Sequence, residues 1–408
     1  MEVLHPRCAG LDVHSDNVVA CRRIAHARSC RTEVKTFETT TRALLKLRAW
    51  LLEVDCTHVV MESTGVYWKP VWHALEEGIE LILANPSHVK NVPGRKSDVS
   101  DAQWLAELLA HGLVRASFVP TQATQEMRDL TRTHTQMARE LGRHTQRIQK
   151  VLEDADIKLT DVLSDITGVS GTAMLKALIA GERDPQKLAT LAVGKAKRNH
   201  AELVQALDGH FREHHAYLVD LHLKQIEAIG TALAGLEARL ENLLEPLREQ
   251  VELLGTIHGI GPTNAPVVLA EIGSDMARYP TVGHLVSWAG LCPKMDESNK
   301  RRRNTRIRKG DPWLKTMLVQ AAWSAVKVKD SYFRARFHRL MGRRGAKKAI
   351  IAIAADILRA CYFVLKRRVP FQDLGADFFD RQDKTKATAS LIKRLRNLGY
   401  EVSLSPVA

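Results

Sequence analysis

The sequence lacks any run of about 18 uncharged apolar residues, the length needed to cross a bilayer as a helix. Its opening, "MEVLHPRCAGLDVHSD", also lacks the apolar core of a secretory signal. Neither secretion nor membrane contact is expected, and the expected compartment is the cytoplasm. Cysteine is sparse too: Cys8, Cys21, Cys30, Cys56, Cys292 and Cys361 are scattered, with no CxxC or CxH spacing. That pattern excludes a zinc knuckle and a disulfide scaffold and reads as reduced cytosolic thiols. Missing as well is an acidic excess, since 60 Lys and Arg face 46 Asp and Glu for a formal charge of +14. A summed positive potential draws in polyanions, phosphate backbones above all.

At 408 residues, 45% of them hydrophobic, the chain is expected to fold into two or three domains. Over the first 115 or so residues strand and helix patterns alternate. "CAGLDVHSDNVVACRRI" and "TEVKTFETT" read as hairpin strands, and "THVVMEST" and "IELILANP" as buried strands. "TRALLKLRAWLLEV", "YWKPVWHALEEG" and "SDVSDAQWLAELLAHG" have helical spacing. The expected fold class is therefore α/β at the amino end, a largely parallel sheet opened by an antiparallel hairpin.

An all-α remainder follows. Residues 121–157 read as one long helix, and Ile226, Ile229, Leu233, Leu236, Leu240, Leu243 and Leu247 step by alternating threes and fours. Such a seam predicts a coiled-coil arm, within the chain or between subunits, broken near Pro246. "TIHGIGPTNAPVVLAEIG" looks like a helix-hairpin-helix, in which Gly259 and Gly261 would let backbone N–H groups approach a phosphate. "DITGVSGTAMLKALIAG" is a weaker echo of it, open equally to being a packed helical turn. The tail beyond 372 is charged and expected to be loosely ordered.

Four acids carry the chemistry. Asp12 sits in "GLDVH", Glu62 closes "VVMES", and Asp98 and Asp101 lie three apart in "KSDVSDAQW", so both point from one face of a helix start. A carboxylate in an apolar strand costs burial free energy unless it binds a cation. Acids on two strands and a helix, in that chain order, suit a ribonuclease-H-like site holding two Mg²⁺ about 4 Å apart. His14 is a candidate neighbour of Asp12, and Tyr67, Trp68 and Trp72 fit a core or interface better than base stacking.

Near the other end, "ESNKRRRNTRIRKGDPW" places Ser298 ahead of Lys300, Arg301, Arg302, Arg303, Arg306, Arg308 and Lys309. A second basic turn holds Arg343, Arg344, Lys347 and Lys348. These and the two hairpin glycines form the candidate nucleic-acid surface. Arginines cannot act as bases, but they offset charge on a phosphorane-like transition state.

"GLDVH", "MESTGVYW", "KSDVSDA", "TIHGIGP", "WAGLCP", "KGDPWLKTMLVQAA" and "KKAIIAIA" together resemble the DEDD transposases of the insertion-sequence one-ten type, relatives of the Piv DNA invertases. The resemblance runs from about 8 to 370. It implies a RuvC-like domain at 1–118, a helical linker and coiled coil at 119–254, a transposase domain at 255–371 and a charged tail at 372–408. It further implies a metal-binding tetrad of Asp12, Glu62, Asp98 and Asp101, with Ser298 as nucleophile. Implied partners are donor and target double-stranded DNA, a non-coding bridge RNA and further copies of the chain, as a dimer or tetramer, working on the nucleoid. The family's serine is commonly followed by glycine, whereas Asn299 follows here; Ser287 and Ser324 are the alternatives. Three other readings remain open: a metal-dependent nuclease or junction resolvase, a site-specific invertase without serine chemistry, and a non-enzymatic nucleic-acid scaffold.

Overall fold

The computed structural model describes residues 2–25, 29–63, 65–89, 100–293, 297–298, 301–302, 306–382 and 384–403, with backbone alone at 297–298 and 301–302. The chain divides into two compact units, Met1–Thr121 and Gln122–Ala408.

In the first unit β1 (Arg7–Val13), β2 (Asn17–Ala25) and β3 (Cys30–Glu38) form an antiparallel meander. Two strands, β4 (His58–Glu62) and β5 (Glu80–Ala84), extend it in parallel on the other side of β1, giving the order β3-β2-β1-β4-β5. The helices are α1 (Thr41–Leu52), α2 (Trp68–Leu75), α3 (Pro86–Val89) and α4 (Asp101–Ala110). This mixed sheet is consistent with a ribonuclease-H-like DEDD domain.

Strand alternation sorts β1 into two faces. Ala9, Leu11 and Val13 pack with Leu44, Leu47 and Leu51 of α1 and Val71 and Leu75 of α2. Each such buried aliphatic contributes about 2 kcal/mol. Cys8 points the other way, with Val60 of β4 and Leu105, Leu108 and Leu109 of α4. Gly10 shares that second face, and a Cβ on it would stand 2.2 Å from the Ala102 carbonyl oxygen and 2.5 Å from the Ala106 nitrogen. The backbone of α4 therefore rests directly on β1. Ser100 starts this helix through a capping box, its Oγ accepting from the Gln103 N–H at 3.3 Å while Gln103 Oε1 accepts from the Ser100 N–H at 3.1 Å.

The second unit opens with α5 (Gln122–Asp154) and later returns along α10 (Glu213–Leu244). His134 meets Glu237 at 2.9 Å, His144 meets His222 at 3.2 Å and Asp154 meets His215 at 3.1 Å, so the two helices run antiparallel within one chain. Between them α6 (Leu159–Val162), α7 (Val169–Ile179), α8 (Pro185–Thr190) and α9 (His200–Ala206) share a core of Ile166, Met174, Leu178 and Leu203 with Ile148, Leu152 and Val219 of the long pair. The weaker glycine repeat lies here. A Cβ on Gly171 would stand 2.2 Å from the Ile166 carbonyl oxygen, which makes it a packed helical turn. Along the leucine seam Ile229 is buried and Leu233, Leu236 and Leu240 are half-buried. At Pro246 α10 gives way to a single 3-10 turn, Glu245–Leu247, as the missing N–H requires.

Beyond it come α11 (Arg248–Gly255), α12 (Asn264–Ile272), α13 (Val282–Trp288), a ribbon of β6 (Glu297–Ser298) and β7 (Arg301–Arg302), then α14 (Pro312–Ala325), α15 (Tyr332–Arg344) and α16 (Ala346–Arg367). Their core gathers Leu269, Leu285, Leu318, Phe333, Ile353 and Leu358. The tail departs from expectation. It forms α17 (Phe378–Gln382) and α18 (Lys384–Asn397), and the Phe378 and Phe379 rings each lie 5.3 Å from Tyr332, an apolar anchor hidden within charged surroundings.

Burial pushes the Cys8 and Cys56 thiols up to about 12 and Cys21 to about 11, and raises Cys361 further. Thiolate is the reactive form, so iodoacetamide on the native protein should label exposed Cys30 first, Cys292 more slowly, and these four only after unfolding. Peptide mass mapping reads this directly; early labelling of Cys8 or Cys361 would contradict the core packing.

Candidate active site

Asp12 and Glu62 close the carboxyl-terminal ends of adjacent parallel strands. Leu11 pairs with Met61, so the next positions, Asp12 and Glu62, stand abreast on strands about 4.8 Å apart. Both lie on the α4 face by alternation, and the strand beyond puts Ala84 opposite Glu62. Asp101 is the first residue of α4, next to the Ala102 carbonyl that touches Gly10. Three of the four expected acids thus lie at one end of the sheet and at the start of the helix docked on it. His14 does neighbour Asp12, its Nε2 3.1 Å from Oδ2. Asp98 lies outside the described residues. Asp101 itself opens α4, behind Ser100 as an extended N-cap (φ −61, ψ 153).

An all-oxygen carboxylate set suits a hard cation such as Mg²⁺. Among the described residues, no three acidic, His or Cys side chains are gathered tightly enough to hold an ion. The donor chemistry fits the metal, and Asp98 is the expected member not described.

Ser298 stands at the tip of a β-ribbon. It pairs with Arg301 while Glu297 pairs with Arg302, leaving only Asn299 and Lys300 between them. Asn299 lies outside the described residues. Lower down, Pro293 bridges to Ile307 and the Arg308 N–H donates to the Cys292 carbonyl at 3.2 Å. The ribbon's two ends are pressed together at glycines. A Cβ on Gly310 would stand 2.4 Å from the Gly290 nitrogen, and one on Gly290, at φ +71, would stand 2.8 Å from the Gly310 Cα. Ser287 is engaged by Arg308 Nη1 at 3.1 Å, while Ser324 is exposed.

The remaining basic residues vary in what is described. Lys300 and Arg303 are outside the described residues, and Arg301 and Arg302 are seen as backbone. Arg306, Arg308 and Lys309 are exposed. So are Arg343 and Arg344, at the end of α15, and Lys347 and Lys348, which open α16. Gly259 needs a different explanation from the one expected. At φ +88 its Cβ would stand 2.2 Å from the Ala321 carbonyl oxygen, so packing of the α11–α12 turn on α14 accounts for the glycine. Gly261 has open space around it and remains accessible. Trp68 and Trp72 pack edge to face at 5.8 Å, the core role favoured for them, while Tyr67 is exposed.

The sequence reading missed a polar cluster beneath the ribbon, formed by Arg128 and Arg132 of α5 with Glu271 of α12 and Asp311 before α14. Glu271 is fully buried, and Arg132 grips it with two N–H···O bonds of 2.8 Å. Two signals were available: a lone acid in the apolar run "VVLAEIG", and Asp before Pro, a helix-start pair.

Comparison with known proteins adds two family matches. A model of the DEDD transposase domain of the IS110 type, described as a transposase, matches residues 9–156. A model described as the transposase IS116/IS110/IS902 family matches residues 251–338. The pilin gene-inverting protein of Moraxella bovis is 22% identical over 373 residues, covering 89% of this chain and 96% of its own. Its namesake from Moraxella lacunata has the same identity and coverage. The transposase for insertion sequence element IS1533 of Leptospira borgpetersenii is 24% identical over 322 residues, 77% of this chain and 84% of that protein.

Gly10→Val tests the contact that brings Asp101 toward the strand ends. Its side chain would collide with the α4 backbone, and the expected loss is about 3 kcal/mol in urea unfolding of the first unit. Unchanged stability would mean that α4 does not dock on β1 as described.

Proposed function

The chain belongs to the IS110 family of transposases, enzymes that cut and rejoin DNA, and we propose that it exchanges strands by passing a backbone phosphate through the Ser298 hydroxyl. Asp12, Glu62, Asp98 and Asp101 would hold the divalent metal, two Mg²⁺ ions on this reading. On this reading residues 1–118 are the metal-binding domain, 119–254 the helical arm with its coiled coil, 255–371 the serine domain and 372–408 the tail. The observation that supports the reading is the placement of Asp12 and Glu62 abreast on adjacent parallel strands, with Asp101 opening the helix docked on that face, together with a serine at the tip of an arginine-bearing ribbon.

The Ser298 oxygen bonds to phosphorus as one sugar–oxygen bond to that phosphorus breaks. The serine proton leaves to solvent, and the departing sugar oxygen gains one. A sugar hydroxyl of the partner strand then reverses the exchange, restoring Ser298. The phosphoester is kept throughout, so no ATP is needed. A serine hydroxyl is a poor nucleophile unaided. Arg301, Arg302, Arg306 and Arg308 supply positive charge where the pentacovalent phosphorus becomes more negative. When bound, Mg²⁺ supplies Lewis-acid stabilisation of the attacking and leaving oxygens. Lys309, Arg343, Arg344, Lys347, Lys348 and the open Gly261 turn bind phosphates of donor DNA, target DNA and a bridge RNA that selects both. A homo-oligomer brings several copies together at the nucleoid, in the cytoplasm.

A second reading, site-specific inversion of a DNA segment, is favoured by the likeness over 96% of the length of the pilin gene-inverting protein. It needs the same chemistry and differs only in the arrangement of the recombining sites.

Ser298→Ala should abolish the detergent-stable protein–DNA species while gel-shift binding of DNA and RNA persists. Recombination by that variant would show that the serine is not the nucleophile. Asp12→Asn should slow strand cleavage roughly a thousandfold, the equivalent of about 4 kcal/mol of transition-state stabilisation. An unaffected rate would remove the carboxylate site from the mechanism.

A further inference from the structure

The polar cluster under the ribbon ties three segments together by hydrogen bonds. Asp311 caps α14, one oxygen accepting from the Trp313 and Leu314 N–H groups at 2.8 Å each. Its second oxygen lies 3.3 Å from Arg132 Nη2. The same Nη2 donates to Glu271 Oε2 while Nε donates to Oε1, so one planar guanidinium joins α5, α12 and the first residue after the ribbon. One turn earlier, Arg128 donates to the Ala270 carbonyl at 2.7 Å and the Glu271 carbonyl at 2.6 Å, the end of α12. Gly310, pressed against Gly290, is the residue immediately before Asp311. The ribbon that carries Ser298 is therefore anchored at its exit by a charge contact to the long helix α5.

We propose that Arg132 and Asp311 are positioning residues for Ser298: the Arg132–Asp311 contact fixes the direction in which the ribbon leaves the core and couples the helical arm to the serine. A buried ion pair is weak evidence for stability, because apolar replacements of similar volume are often as stable. What this arrangement specifies is direction. The Arg132 fork has one planar orientation on Glu271, and that orientation leaves Nη2 facing Asp311. The inference rests on the reading of Ser298 as nucleophile. A displacement of the ribbon base of only about 1 Å would misplace the serine oxygen enough to slow attack about a hundredfold.

Asp311→Asn is the discriminating variant, because Asn caps a helix as well as Asp does yet removes the charge facing Arg132. Arg132→Lys keeps the charge but cannot fork. With the full-length protein and its copurifying RNA, covalent adduct formation is timed at saturating DNA, beside DNA affinity and thermal midpoint. Both variants should form adduct about a hundredfold more slowly for a 1 Å shift of the ribbon base, with DNA affinity unchanged. Asp311→Asn should also keep its thermal midpoint, and its Arg306, Arg308 and Lys309 amides should exchange faster. If both variants react at the native rate while Ser298→Ala makes no adduct, the positioning role is refuted and the nucleophile stands. If Ser298→Ala still makes adduct, the nucleophile reading has failed and this proposal fails with it. Should Arg132→Lys lose its fold, Asp311→Asn alone decides.

Discussion

At Gly10 the main chain of α4 lies against β1 with nothing between, and the position of the acidic residues follows from that contact. The Ala102 carbonyl, 2.2 Å from where a Cβ would sit, belongs to the residue after Asp101, and Asp12 is two residues along the strand from Gly10. Removing one methyl group's worth of volume is what lets the start of a helix approach a strand end. The same device recurs in the other unit, where Gly290 and Gly310 close the neck of the serine ribbon. In both places a candidate site residue follows a glycine contact along the chain, Asp12 two residues after Gly10 and Ser298 eight residues after Gly290.

Charge supplies what close packing cannot. The sheet end is acidic, while the ribbon is basic from Lys300 to Lys309. On the proposed reading the acids would hold divalent metal and the basic ribbon would contact a phosphate backbone. Beneath the ribbon, buried Glu271 is held by Arg132, its own pKa raised by burial against the pull of that guanidinium. An ionised group kept in such a place constrains direction more than it adds stability.

Much of this was legible from spacing alone. Period-two alternation in "AGLDV" and "VVMES" gave the strands and marked Asp12 and Glu62 as acids out of place, and the Pro246 break was legible because proline lacks its N–H. Other features depend on partners far along the chain. Gly259 reads as a phosphate-approach glycine until Ala321 is found against it, and Arg132 joins Glu271 and Asp311 across separations of 139 and 179 residues. Helical periodicity carries no information about such pairs. The helix with an Asp-rich start was legible, while which residue caps it, Ser100, is set by its bond to the Gln103 N–H. The ordering of the tail turned on two phenylalanines whose partner, Tyr332, lies in another helix.

The measurement closest to the central claim is the site and metal dependence of the covalent bond to DNA. Adduct trapped on a recombination substrate would be digested with protease and nuclease, and the nucleotide-bearing peptide sequenced by mass spectrometry. The account predicts a nucleotide on Ser298, formed with Mg²⁺ and lost both in chelator and in Asp12→Asn. A nucleotide on any other residue, or adduct that forms equally well without metal, would contradict it.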